Sequence, residues 1–217
     1  MGRKPCGPAF VIGVGMTKFI KPRGLVDYPE LGFEASVKAL LDADINFDDV
    51  EQAIACYCFG DSTCGQRVIY QLGMTQIPVY NVNNNCGSGS TGLSMARTLV
   101  GYGVADCVLV VGFEKMKSGG LRGNWSDRSS PVEVNHEVMK QTRGFTDAPP
   151  PAQMFGNAGR EYMEKYAMQN ARRRIGLADD CCCVDTELRP RILQKSLVSI
   201  MNTPNVTLTP SSKTNTH

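Results

Sequence analysis

The sequence has little net charge and almost no histidine: 23 Lys and Arg stand against 21 Asp and Glu, a formal net charge of +2, with two histidines in 217 residues. A balance this close to zero supplies no broad field for nucleic acid or for an anionic membrane surface. Long hydrophobic runs are also missing. The longest, such as Cys107 to Val111, fall far short of the roughly 20 residues that cross a bilayer, so no membrane span is expected. The opening MGRKPCGPAF lacks the apolar core of a secretory signal, and the nine cysteines therefore read as thiols of a reducing compartment rather than a disulfide framework. The sequon Asn205-Val206-Thr207 then carries no weight, and a soluble chain is expected.

A hydrophobic content of 42% over this length is enough for one substantial core with room for an appended lobe. From Ala9 to Met116, short apolar, β-branched runs alternate with helical periodicity, the pattern of an α/β unit with a mostly parallel sheet. The runs Ala9–Val14, Ala53–Phe59, Val79–Val82 and Cys107–Val111 predict strands. The last, apolar without alternation, predicts a strand covered on both faces. Phe33, Val37, Leu40 and Leu41 predict one helix face against the sheet, and Leu93, Met95, Ala96, Leu99 and Val100 predict a helix buried on several sides.

Residues 117–151 turn to Gly, Ser, Arg and Pro and predict a loop excursion with little regular structure. Phe155, Ala158, Gly159, Tyr162 and Tyr166 predict a helix just after Pro149-Pro150-Pro151. The organisation read from the chain is thus a core at 1–116, a loop region with a helix at 117–166, and a tail at 167–217, disordered at its end.

The chemistry concentrates at Asn81-Val82-Asn83-Asn84-Asn85-Cys86-Gly87-Ser88-Gly89-Ser90, a strand entering a polar turn, then a cysteine, then small residues that open a helix. Free amides and the positive end of a helix stabilise a thiolate. Gly87 and Gly89, lacking Cβ, let substrate approach the backbone, and local amides can serve a developing oxyanion. On position alone, Cys86 reads equally as a small buried residue and as a reactive thiol. The Gly13-Val14-Gly15 pair is only a fragment of a dinucleotide fingerprint.

The stretch NVNNNCGSGSTGLSMA resembles the nucleophile segment of the thiolase superfamily. The flanking words GVGMTKF, FGDSTCGQR, LGMT, VLVVGFEKM and QMFGNAGREYMEKY, covering roughly Phe10 to Tyr166, resemble thiolases of the sterol-carrier-protein X type, and the tail at 167–217 is expected to lie outside the resemblance and to be partly disordered. The resemblance implies thiolytic cleavage of 3-oxoacyl-CoA, including branched-chain and bile-acid intermediates of β-oxidation, with Cys86 as the acyl-accepting nucleophile. It implies coenzyme A as co-substrate, with no metal or other cofactor. Gly87 is expected beside substrate. Met154 either lines the acyl chain or packs in the core. The segment Asp61–Arg67 resembles one near the subunit interface and is expected to be structural.

The family's His-Asp-Cys-Phe and Gly-His-Pro-Leu-Gly segments, and its late reactive cysteine, do not occur in the sequence. His136 and His217 match no catalytic position. The chain therefore reads as a front half with little or no turnover, or as a non-catalytic partner of full-length thiolase subunits or an acyl-CoA binder, a homodimer or heterodimer in either case. The resemblance implies a peroxisomal setting. The ending Thr214-Asn215-Thr216-His217 is no peroxisomal signal, so entry would need a partner and the cytoplasm is the alternative. Neither the Cys181-Cys182-Cys183 triplet nor the Arg172-Arg173-Arg174 run has the spacing of a metal or anion site.

Overall fold

In the computed structural model, residues 7–18, 26–116 and 127–166 are described in full and 197–202 as backbone. The chain divides into two units, Met1–Lys115 with Ile192–His217, and Met116–Arg191.

In the first unit the chain runs β1 (Phe10–Met16), α1 (Tyr28–Ala43), β2 (Gln52–Cys56), α2 (Cys64–Ile69), β3 (Val79–Val82), α3 (Ser88–Gly101), β4 (Cys107–Gly112) and β5 (Leu197–Asn202). The sheet order is β1-β5-β4-β2-β3. β2 is parallel to β3 and β4, while β5 is antiparallel to both β4 and β1. Four strands therefore share one direction and β5 opposes them. The fold is α/β, with the expected strands in place and their ends shifted by a few residues.

β4 is buried from Cys107 to Val111, and its alternation divides two cores. Cys107, Leu109 and Val111 join Ala53, Ala55 and the residues of α1 and α2 on one face. Val108 and Val110 join Ile54, Cys56, Ala96 and Val100 of α3 on the other. Helices on both faces of a central strand are what its continuous apolar run required.

Two helix faces differ from expectation. α1 buries Leu31, Gly32, Ala35, Ser36, Ala39 and Leu40, whereas Phe33 and Leu41 are exposed. The reason is close packing on β1. A Cβ at Gly15 would stand 2.5 Å from the Ala39 amide nitrogen, so glycine on the strand meets alanine on the helix and bulky residues are turned away. α1 starts at an Asp27–Glu30 capping box, with Asp27 also paired to Lys115, and ends at left-handed Asp44. α3 buries a single stripe, Ser88, Gly92, Ala96 and Val100, with Leu93, Met95 and Leu99 half-buried beside it. That is narrower than the burial on several sides which its composition predicts.

The sequence pattern placed no strand in 167–217, yet Leu197–Asn202 lies in the middle of the sheet, with Asn202 opposite both Phe10 and Cys107. A six-residue run with partners at the other end of the chain has no local periodicity to mark it.

In the second unit, the excursion at 117–151 is not without structure, because Glu133–Thr142 forms α4. Its pattern is weak, with Met139 buried and Val134 and Val138 exposed. α5 (Pro150–Lys165) follows Pro149 as expected, its prolines supplying the first helical positions, where no amide partner is needed. Its row of apolar residues is not a buried face: Phe155, Tyr162 and Tyr166 are exposed, and Gly156 is its buried residue. Arg143 grips Glu164 through two parallel hydrogen bonds, at 2.8 and 2.5 Å, and the Gln153 side chain bonds the backbone of Thr146 and Ala148. Arg172–Arg174, Cys181–Cys183, His217 and the chain end lie outside the described residues.

Candidate active site

The parallel strands bring their carboxyl ends to one edge of the sheet, where ligand sites of open α/β sheets are found. Cys58 follows β2, Cys86 follows β3 and Glu114 follows β4. β2 stops at Cys56 rather than at the expected Phe59: the Tyr57 N–H still donates to Val82 O at 3.2 Å, and the amides beyond it leave the ladder. The Cys58 and Phe59 N–H groups each donate to a Glu114 carboxylate oxygen at 2.9 Å. Beneath them Tyr28, Phe113 and Tyr57 stack, with centroids 5.4 and 5.1 Å apart, giving the edge a rigid base.

The turn carrying Cys86 is held by its own polar residues. Asn85 is left-handed at φ 50°, a conformation asparagine tolerates better than most residues. The Asn85 carbonyl accepts from the Ser88 N–H at 3.1 Å, from the Ser88 hydroxyl at 2.7 Å and from the Cys58 thiol at 3.0 Å. The Ser88 hydroxyl in turn accepts the Asn84 N–H at 2.8 Å. Asn84 Nδ2 donates to Thr91 Oγ1 at 2.9 Å, linking the turn to the first turn of α3.

Cys86 is exposed, whereas Cys56, Cys64 and Cys107 are buried and Cys58 is half-buried. Burial pushes the Cys56 thiol up to about 11. Burial, then the charges of Asp49, Glu51 and Asp106, push Cys107 up to about 12. Cys58 is also pushed up: burial is the main cause, the Ser88 hydroxyl opposes it, and the charges of Glu114 and Cys86 add to it. Cys56, Cys58 and Cys107 are thus held as thiols, while Cys86 stands open to an incoming electrophile.

Gly87, expected beside substrate, caps α3 and uses its N–H within the turn, donating to Asn84 O at 3.0 Å. A Cβ there would meet that same carbonyl oxygen at 3.3 Å, whereas Gly89 faces open space. The amides of Cys86, Gly89 and Ser90 have no acceptor among the described residues. Met154 lies half-buried in α5 of the second unit. The Asp61–Arg67 segment enters α2, where Asn81 Oδ1 takes the Gly65 N–H at 2.8 Å and Asn81 Nδ2 donates to Gln66 at 2.8 Å. Sequence reasoning missed Cys58, Ser88 and Glu114 as parts of the site. The available signal was their position just past strand ends or at the start of the helix. Among the described residues no three His, Cys, Asp or Glu side chains gather as a metal site, and no helix is long and apolar enough to cross a membrane.

The thiolase N-terminal domain model matches residues 9–174, past Tyr166 where the sequence words end. The chain belongs to the thiolase family. Its relatives include sterol carrier proteins. It is 57% identical to chicken sterol carrier protein 2 over 159 residues, covering 72% of this chain and 29% of that protein. It is 53% identical to human sterol carrier protein 2 over 174 residues, covering 76% and 32%. It is 45% identical to the Caenorhabditis elegans non-specific lipid-transfer protein-like 2 over 162 residues, covering 72% and 39%. The thiolase chain thus spans well under half the length of these relatives. In fold it is similar to the acetyl-CoA acetyltransferase of Syntrophomonas wolfei, with a TM-score of 0.58 at 13% identity, covering 92% of this chain and 65% of that one. It is also similar to the Ltp2–ChsH2(DUF35) aldolase, with a TM-score of 0.58 at 17% identity, covering 90% and 56%.

Proposed function

We propose that this chain carries the acyl-accepting half of a thiolase reaction on 3-oxoacyl-CoA, with Cys86 as nucleophile. The observation that carries the reading is the exposed Cys86 on a fixed turn at the carboxyl edge of the sheet, beside Cys58, which is held as a thiol. Its thiolate attacks the C3 carbonyl carbon, the C2–C3 bond breaks, and C2 of the departing acyl-CoA takes a proton. The acyl group remains as a thioester on Cys86, and the thiol of free coenzyme A then attacks that thioester, restoring the Cys86 thiol. The unpartnered amides of Cys86, Gly89 and Ser90 are the local donors for the developing oxyanion. Gly89 leaves room for the acyl carbonyl.

The protons at C2 and on coenzyme A need acid and base groups. The sequence holds two histidines, and neither lies in a segment resembling the family's catalytic ones. The proposal for the described residues is acyl capture on Cys86, including from branched 3-oxoacyl-CoA, in peroxisomal β-oxidation. Incubation with a short-chain 3-oxoacyl-CoA or acyl-CoA, followed by peptide mass analysis, should show the acyl mass on the Cys86 peptide and none in Cys86→Ala. Acyl mass absent from native Cys86 defeats the reading.

A second reading is favoured by β1, where Phe10, Val14 and Met16 leave an apolar row about half exposed. Covering it with another copy or with a full-length thiolase subunit makes the chain an interaction partner. Co-purification with such a subunit supports this reading, and a strictly monomeric chain that ignores it counts against it.

A further inference from the structure

Two cysteines lie at the same edge of the sheet, and the one that is not exposed has a defined place in the turn. The Cys58 Sγ reaches the Asn85 carbonyl at 3.0 Å and the Ser88 hydroxyl at 3.5 Å, the residues just before Cys86 and two positions after it. Cys58 is itself anchored, because its amide and that of Phe59 each take one oxygen of the Glu114 carboxylate. Among the described residues Glu114 has no ion-pair partner, so its charge is met by two backbone dipoles. Left-handed Asn85 is the hinge on which Cys86 is presented, and its carbonyl accepts both the Cys58 thiol and the Ser88 hydroxyl.

We propose that Glu114 and Cys58 are positioning residues for Cys86: the carboxylate fixes the turn after β2, and the Cys58 thiol, as a donor to Asn85 O, holds the left-handed turn that presents the nucleophile. The proposal rests on the reading of Cys86 as the acyl acceptor. It adds that the neighbouring cysteine works only while protonated. A thiolate at position 58 has no hydrogen to give Asn85 O and would repel a thiolate at position 86. The groups facing Cys58 act accordingly: burial and the Glu114 and Cys86 charges favour its thiol form, and the Ser88 hydroxyl alone opposes them.

The test uses the full 217-residue chain, with two probes read on separate peptides: iodoacetamide, which needs no acyl-transfer chemistry, and a short-chain acyl-CoA. In the native chain, alkylation falls on Cys86 and spares Cys58. In Cys58→Ala, which lacks the donor, alkylation and acylation of Cys86 should both fall about tenfold, and Cys58→Ser, which keeps a hydroxyl donor, should restore them to within about threefold. Glu114→Gln offers one acceptor oxygen to two amides and removes the charge, so the onset of Cys58 alkylation should move to lower pH as its thiol ionises more readily. A purely structural role would leave that pH profile unmoved.

If Cys58→Ala and Cys58→Ser slow Cys86 equally, or neither does, the donor role is overturned. If Cys58→Ala does not fold, the Cys58→Ser rates and the Glu114→Gln profile decide alone, and a Cys58 as inert in Glu114→Gln as in the native chain overturns the proposal. If acyl-CoA leaves native Cys86 unmodified while the alkylation pattern holds, the acyl-transfer reading fails and the positioning stands.

Discussion

At the scale of single residues, the chain separates reactive from inert cysteine by burial and by the partner of each thiol. Cys56 and Cys107 are closed into the two cores and pushed well above neutrality, so at pH 7.5 they carry almost no thiolate. Iodoacetamide under native conditions should modify Cys86 at least about tenfold faster than Cys56, Cys64 or Cys107, and denaturant should abolish the difference, as peptide mapping will show. Equal native rates would mean that exposure does not set reactivity here. Close approach makes Gly15 the other sensitive residue. Its missing Cβ admits the α1 backbone, so Gly15→Ala should destabilise the chain by about 1–3 kcal/mol, a fall in Tm of roughly 2–4 °C per kcal/mol. Gly89→Ala, facing open space outside the core, should leave Tm nearly unchanged.

At the scale of elements, β5 decides whether the sheet is one piece. It lies between β1 and β4, and in the described structure β1 has no other strand beside it. A proline in a central strand removes a ladder hydrogen bond on which the neighbouring strand depends. Ile200→Pro should therefore cost about 1–3 kcal/mol and raise amide exchange in β1 and β4, leaving β2 and β3 protected. Unchanged exchange in β1 would show that α1 alone holds that strand. α3 is placed by the opposite device: Gly92 brings it onto Ile54 and Val110, which carries the Cys86 turn to the edge of the sheet.

At the scale of the whole molecule, stability has an alkaline limit. A thiol whose folded pKa is raised contributes stability that is fully present below its unfolded value of about 8.5 and is lost as pH rises through its folded value. Above the unfolded value the unfolded chain binds fewer protons than the folded one, so stability falls with pH. For Cys56 the window closes near 11 and for Cys107 near 12. Tm should hold up to about pH 8 and then decline, with each thiol contributing up to about 1.4 kcal/mol per pH unit. Thermal melts from pH 7 to 10.5 check the sign, and a Tm that rises over that range would contradict it. The exposed row Phe10, Val14 and Met16 belongs to this scale too, since it is the apolar surface that a second reading would cover.

The sequence by itself determined the strand–helix alternation through Gly112, the two-sided cover of Cys107–Val111, and the turn-to-helix setting of Cys86. Each is written in neighbouring residues as period, propensity or small-residue spacing. The tertiary structure alone decided which face of α1 meets β1, because that depended on Gly15 lying against Ala39. It alone brought Leu197–Asn202 between strands from the other end of the chain, and set Cys58 and Glu114 around Cys86. Those contacts join residues far apart in sequence, and no local period records them.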